Sequence, residues 1–505
     1  MKADLALQMA GVRKSFGAFR ALDDASLDVR WGEVHAILGE NGAGKSTLMN
    51  VAAGLYSADA GALLIDGVAC VFSGPRDAIA HGVGMIHQHF KLVNRFNAVE
   101  NVMLASPRGS YRRGLAEVSR DIRQHADALG FSIDLRQPVG LLSIAEQQRV
   151  EIIKALVAGA RILILDEPTA VLADDEAAKL LQTVNNLARN GMAAVLVTHK
   201  LRDVQAFANR VTVMRAGHAI ATLDPLAVSS DELTTLAVGS KIVPPIRRGH
   251  TSGTDRLIVR GLSYGPRQRP RLHQVSFNVR SGEIYGIAGV GGNGQTELTD
   301  ILCGVRKPVA GTIELLRPSG ACVDLTSSGP RGRIDSGFAT VPADRQGQAI
   351  ASSVSIAENY AIAHVHKGRF GPWWFVNRAS IRDVAGTAIR EADVQGVRSV
   401  FQRIGLLSGG NTQKLVTQRE FSRIPSTIVV HSPSRGLDVR ACAAIHRRLL
   451  AARDNGVAVV LISEDLDEVL SLSDRIGVMT AGKIVAEFDA PADRQAIGRA
   501  MVGHA

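Results

Sequence analysis

Cysteine is scarce. Four residues (Cys70, Cys303, Cys322 and Cys442) are spread over a 505-residue chain with no CxxC pair, which argues against a disulfide framework or a zinc site and suits a reducing compartment. Long apolar runs are missing too. Stretches such as AAVLV at 193–197 and VAVVLI at 457–462 are strand-sized, well short of the about 18 residues that a membrane span needs. The opening MKADLALQMAG lacks the basic start, long apolar stretch and small-residue cleavage site of a secretory leader, so none is expected. Aromatic residues make up 4%, too few for a base-stacking platform. A net charge of +10 admits nucleic acid, acidic lipid or nucleotide as partners, but the basic residues are scattered, as on a solvated surface. What remains is ordinary for a globular protein, with 46% hydrophobic and 21% charged residues, and the chain is too long for a single core.

The chain says most things twice. VMRAGHAIATLD at 213–224 echoes VMTAGKIVAEFD at 478–489, and LAVGS at 236–240 echoes AMVGH at 500–504. LDEPTAVL at 165–172 aligns with VHSPSRGL at 430–437, and LVTHKLRDV at 196–204 with LISEDLDEV at 461–469. Pro168 and Pro433 are 265 residues apart, as are His199 and Glu464, whereas Lys45 and Gln295 are 250 apart, so the second copy carries insertions. Such a period is far too long for a solenoid and marks two homologous domains. They are expected over residues 1–240 and 257–505, joined by a Pro-, Arg- and Gly-containing linker at 241–256. Within each copy short β-rich runs alternate with helical patterns. EVHAILGE at 33–40 and RILILDE at 161–167 read as buried strands, KSTLMNVAAG and DDEAAKLLQTVNNLARNG at 174–191 as helices, and MAAVLVTH as strand again. The fold class expected is α/β with a mostly parallel sheet in each domain.

In the first copy GENGAGKST at 39–47 sits between a strand and a helix and completes the pattern G-x-x-x-x-G-K-[ST] of a phosphate-binding loop. Gly39, Glu40, Asn41, Gly42, Ala43 and Gly44 form the turn whose backbone N–H groups can cradle phosphate oxygens, with Lys45 as cation and Ser46, followed by Thr47, offering a hydroxyl to Mg²⁺. ILILDEP at 162–168 ends its strand on Asp166, suited to hold the Mg²⁺ shell, and Glu167, suited to polarise the attacking water. His199 is a candidate for holding the γ-phosphate, and Gln88 for contacting both metal and water. Phe16 in KSFG is either an adenine-stacking platform or a packing residue. The cofactors implied are ATP and Mg²⁺.

LSGGNTQK at 407–414 opens a helix with two glycines, each costing about 1 kcal/mol of helix stability relative to Ala. That choice makes sense if an anion must approach bare backbone at the helix N-terminus. With a phosphate loop, an Asp-Glu strand end and a downstream His, this stretch resembles the nucleotide-binding domains of ABC transporters, and the resemblance covers nearly the whole chain. Two such domains, the second reading GVGGNGQTEL at 289–298 and LSGGNTQK, look like the ATP-binding subunits of bacterial carbohydrate and nucleoside importers. MIHQHFKLV at 85–93 is closer to the nucleoside branch, because the sugar branch is expected to carry a Glu near His89.

The defects are distributed unevenly. In the second copy Gln295 replaces the lysine, His431 and Ser432 replace Asp166 and Glu167, Glu464 replaces His199, and VPADRQGQ at 341–348 replaces the Gln88 segment. In the first copy the signature stretch is LLSIAEQQRVEI, with Ile144 and Ala145 in place of the glycines and a Ser143–Glu146 capping box, and Ala173 stands where the second copy has Asp438. Such domains pair head to tail, so the resemblance implies one composite site that takes Gly39–Thr47, Gln88, Asp166, Glu167 and His199 from the first domain. It takes Ser408, Gly409, Gly410 and Asp438 from the second. The other site collects the replacements. The resemblance further implies an ATPase at the cytoplasmic face of the bacterial inner membrane. Its partners would be two transmembrane permease subunits docked on the helical stretch near 90–140 and, indirectly, an extracytoplasmic substrate-binding protein, with no nucleic acid. Two other readings are a soluble twin-ATPase acting on ribosome or nucleic acid and an ATP-gated scaffold. Trp373 and Trp374 in GPWWFVNR are either an interface anchor or a packed pair.

Overall fold

The computed structural model describes residues 4–502 except 18, 88–89, 106–113, 170–171, 173, 241–248, 250–251, 267–269, 318, 366–367 and 373–374. The chain divides into two compact units, Met1–Ile242 and Val243–Ala505. In the first unit a four-stranded antiparallel sheet has the order β2-β1-β4-β5, with β1 Leu5–Phe16, β2 Phe19–Arg30, β4 Ala60–Ile65 and β5 Val68–Ala69. A six-stranded sheet has the order β10-β9-β3-β8-β7-β6, from β3 Val34–Leu38, β6 Val83–Ile86, β7 Ile162–Asp166, β8 Ala193–Thr198, β9 Arg210–Arg215 and β10 His218–Leu223. All of its pairings are parallel except that of β9 with β10.

Every residue of β3, β7 and β8 is buried. Continuous apolar runs such as ILIL and AAVLV suit strands that are covered on both faces, where each large apolar side chain contributes about 1.5–3 kcal/mol of burial. One face of this sheet packs with Leu48, Met49 and Ala52 of the helix Lys45–Ala52, and the other with Leu180, Leu181 and Val184 of the helix Asp174–Arg189. The register sets Leu38 beside Thr198 and Asp166 beside Val197, so β3, β7 and β8 end at one edge. Gly39, Glu167 and His199 follow those ends, in the crevice where open α/β sheets bind ligands. The helices Ala98–Ala105, Leu115–Ala128 and Ile144–Val157 form a separate helical layer around Val99, Val102, Val118, Ile122 and Ile153.

The second unit repeats the plan. Its antiparallel sheet runs β12-β11-β14-β15, with β11 Asp255–Tyr264, β12 Leu272–Arg280, β14 Ala310–Leu316 and β15 Cys322–Asp324. Its six-stranded sheet runs β16-β17-β18-β13-β19-β20, with β13 Ile284–Ala288, β16 Phe338–Val341, β17 Thr427–His431, β18 Ala458–Ser463, β19 Arg475–Thr480 and β20 Lys483–Asp489. The helices Ile356–Ala361, Arg378–Glu391 and Gly409–Phe421 pack around Ile356, Tyr360, Ala385 and Leu415. The expected α/β class and mostly parallel sheets are therefore present in both halves. Among the described residues no helix is long and apolar enough to cross a membrane. Trp373 and Trp374 lie outside the described residues.

Candidate functional site

The loop after β3 turns tightly into the helix Lys45–Ala52. Gly44 holds a left-handed φ of +99°, and a Cβ there would stand 2.8 Å from the Ala21 carbonyl oxygen. At Gly39 a Cβ would meet the Met214 carbonyl at 2.3 Å, so neither position accepts a side chain without a shift of backbone. Lys45 is 5% exposed, and its Nζ donates to the carbonyls of Gly39 at 2.7 Å and Glu40 at 3.0 Å. The ammonium is thus held over its own loop.

The two candidate metal ligands on described residues meet directly. Ser46 Oγ donates to Asp166 Oδ1 at 3.2 Å. A hydroxyl and a carboxylate, both oxygen donors beside a phosphate loop, fit the hard, water-rich coordination of Mg²⁺. Burial raises the Asp166 pKa, and the Glu167 charge adds to this, against the Ser46 hydrogen bond and the Lys45 charge. Glu167 behaves oppositely. Burial works against its charge, but the hydrogen bond and charge of His199, with Lys45 and Lys200, outweigh it and hold the carboxyl below its ordinary value. His199 Nδ1 lies 3.0 Å from Glu167 Oε1. Glu167 also carries a positive φ of 49°, while its N–H donates to the Val197 carbonyl at 2.9 Å. A non-glycine residue in that region stores about 1–3 kcal/mol of strain, which concentrates at functional sites.

The structure adds neighbours that the motifs did not name. Lys200 Nζ donates to the Thr169 carbonyl at 2.8 Å, and Gln148 Nε2 to the Pro168 carbonyl at 2.7 Å. Tyr56 stands edge-on to Phe16 with ring centroids 5.3 Å apart. Phe16 itself is 44% exposed, so it is not a core residue. No local pattern announces these contacts, because each joins segments distant in sequence. Gln88 and Ala173 lie outside the described residues.

The second domain keeps the backbone and replaces the chemistry. Ser432 has φ +45°, matching Glu167, and its N–H donates to the Ile462 carbonyl at 2.7 Å. Gln295 is 3% exposed and donates to the Val290 carbonyl at 3.0 Å, as Lys45 does to Glu40, but without charge. His431 Nδ1 bonds Thr299 Oγ1 at 3.1 Å, and burial pushes its pKa down to about 4, so it is neutral at pH 7. Glu464 leans on the loop, with Oε1 3.0 Å from where a Gly291 Cβ would be. A neutral amide, a neutral imidazole, a hydroxyl and an extra carboxylate make a poor setting for a triphosphate.

The two signature helices also differ as expected. Ser143 caps the helix Ile144–Val157 by accepting from Glu146 N at 3.3 Å, and Glu146 Oε2 accepts from Ser143 N at 2.8 Å. Ser143→Ala is expected to lower the stability of the first domain by about 1 kcal/mol, read as a reduced denaturation midpoint, and to leave ATP turnover unchanged. In the second domain Ser408 caps the helix Gly409–Phe421, so that Gly409 and Gly410 are its first two residues. At Gly410 the nearest atom to a Cβ would be Leu437 Cδ2 at 3.7 Å, an ordinary contact. Packing within the domain therefore does not demand glycine there. Asp438 caps the helix Val439–Asp454, accepting from Ala441 N at 2.7 Å.

Sheet order, phosphate loop and acidic strand end together define a tandem pair of P-loop ATPase domains. Residues 22–170 and 272–433 match the ABC transporter family. The chain is 39% identical to the glucose import ATP-binding protein TsgD13 of Haloferax volcanii, over 98% of this chain and 96% of that one. It is 37% identical to the nucleoside import ATP-binding protein NupA of Lactococcus lactis subsp. cremoris, over 100% and 99%. A solved structure of an RNase-L Inhibitor covers 100% of this chain and 93% of its own, with a TM-score of 0.63 at 17% identity, a likeness of fold alone. The protein belongs to the ABC transporter ATP-binding family, and it is an ATPase of that family.

Proposed function

We propose that this chain is the ATP-hydrolysing, energy-coupling subunit of a bacterial importer for a nucleoside or a simple sugar, and that it acts at the cytoplasmic face of the inner membrane beside two permease subunits. An extracytoplasmic binding protein would supply the substrate. The observation that carries this reading is the segregation of intact parts. The loop Gly39–Thr47, Asp166, Glu167 and His199 are complete in the first domain, while LSGGN and Asp438 are complete in the second. One hydrolytic site that draws on both explains why each domain keeps what it keeps. The full-length similarity to relatives named as import ATP-binding proteins supports the direction of transport. MIHQHFKLV favours the nucleoside branch.

In this reading Lys45 and the loop N–H groups hold the β- and γ-phosphates. Glu167, kept ionised beside His199, accepts the proton of the attacking water. His199 and, by its place in the sequence, Gln88 orient the γ-phosphate and the water. Phe16 offers its exposed ring to adenine. Mg²⁺ would be held by Ser46, Asp166 and Gln88 and would offset phosphate charge. The second phosphate loop serves a site that does not hydrolyse ATP.

Purification from membranes tests the assignment. The chain is expected to co-purify with two hydrophobic permeases, and the reconstituted complex to hydrolyse ATP faster with a nucleoside-loaded than with a sugar-loaded binding protein. Recovery on ribosomes without permeases would overturn the reading.

A further inference from the structure

The segment VPADRQGQ stands where the first domain carries Gln88, and its own work is visible in the structure. Residues Arg345–Ala349 form one wide helical turn capped by Asp344, whose carboxylate accepts from Gly347 N at 2.9 Å. A Cβ on Gly347 would stand 2.3 Å from Asp344 Oδ2, so a side chain there would displace the capping carboxylate. From the turn, Arg345 reaches two places. Its Nη1 donates to the Gly409 carbonyl at 3.1 Å, and its Nη2 donates to the Arg435 carbonyl. Gly409 opens the signature helix, and Arg435 lies in SRGLD, three residues before Asp438.

We propose that Arg345 is a positioning residue for ATP turnover: its guanidinium clamps the start of the signature helix to the SRGLD loop and presents both to the nucleotide as one unit. The inference rests on the reading that these two segments complete the working site. A planar guanidinium can donate to two acceptors at fixed separation, which an ammonium does poorly. A Cβ on Gly409 would come within 3.2 Å of Arg345 Nη1, so a side chain there would crowd the clamp. Burial and the like charge of Arg435 both work against the Arg345 charge, which its two carbonyl acceptors offset. The rest of the turn is anchored, since Arg419 Nη1 donates to the Ala349 carbonyl at 2.9 Å. In the first domain the described part of the matching loop is likewise held further along its signature helix. Lys91 N donates to Glu151 Oε1 at 2.7 Å, and Lys154 Nζ to the Lys91 carbonyl at 3.2 Å.

The test uses the full chain in its membrane complex. Arg345→Gln is expected to lower kcat on the order of 10–100-fold while the Kd for ADP and the melting temperature stay at wild-type values. Arg345→Lys, which can reach one carbonyl at a time, is expected to recover part of the loss. Wild-type kcat in Arg345→Gln overturns the proposal, and so does a loss of kcat matched by losses of ADP affinity and thermal stability. If Arg345→Gln does not fold, Arg345→Lys decides alone: reduced kcat at unchanged melting temperature supports the clamp, and wild-type kcat overturns it. Gly410→Asp, measured alongside, separates the two levels. If Gly410→Asp turns over normally, the composite-site reading itself fails. If it is inactive and Arg345→Gln is not, only the clamp fails.

Discussion

Glu167→Gln is expected to reduce kcat for ATP hydrolysis by about 100- to 10,000-fold, whereas Ser432→Ala leaves it within about twofold of wild type. The amide is the same size as the carboxylate and still reaches His199 Nδ1, now 3.0 Å away, so folding and nucleotide binding persist. What disappears is the ability to accept a proton from water. Glu167 is suited to that task because His199, Lys45 and Lys200 overcome the penalty of burial and keep it charged. Ser432 occupies the same strained backbone position, φ +45° against +49°, and has no charge to lose. ATPase assays on the reconstituted complex, with nucleotide affinity measured in parallel, make the comparison. Substantial turnover in Glu167→Gln would mean that the second domain hydrolyses ATP as well.

Gly410→Asp is expected to abolish turnover, by on the order of 100-fold or more, while leaving the melting temperature unchanged or slightly raised. The two effects have opposite electrostatic signs. Within the second domain an acid in the first turn of the helix Gly409–Phe421 is favourable by about 0.3–1 kcal/mol, and it replaces a poor helix former. There is room for it, because the nearest neighbour of a Cβ would be Leu437 Cδ2 at 3.7 Å. Toward a phosphate the same carboxylate is repulsive, and it fills the helix end that glycine leaves bare. ATPase rate and thermal melting on one preparation separate these outcomes. A variant that is more stable and still active would show that LSGGN is not a phosphate contact.

Several features could be seen in the sequence because their causes are local. The capping box at Ser143 and Glu146 needs three residues' spacing and a helix, and both bonds form. The loop Gly39–Thr47 is recognisable because a tight turn into a helix constrains each position by itself. Strand ends were legible where apolar runs meet an acid, as at Asp166. Other features were hidden because they join distant segments. Phe16 reads equally as stacking platform or packing residue until its 44% exposure and its edge contact with Tyr56 are known. Arg345 is one basic residue in a polar stretch until its two carbonyl partners, 64 and 90 residues away, are in place.

By itself the sequence determined two homologous α/β domains, a complete phosphate loop with its acidic strand end in the first and an intact signature in the second. Motif spacing and repetition are local properties that survive without coordinates. Only the tertiary structure decided how the replaced residues behave. It brought Ser46 onto Asp166 and His199 onto Glu167, buried His431 until it is neutral, and kept the strained backbone of Ser432 without its carboxylate. Those outcomes depend on the register of parallel strands, which sets groups 32 and 120 residues apart at one sheet edge, and on burial, which decides whether each of them carries a charge.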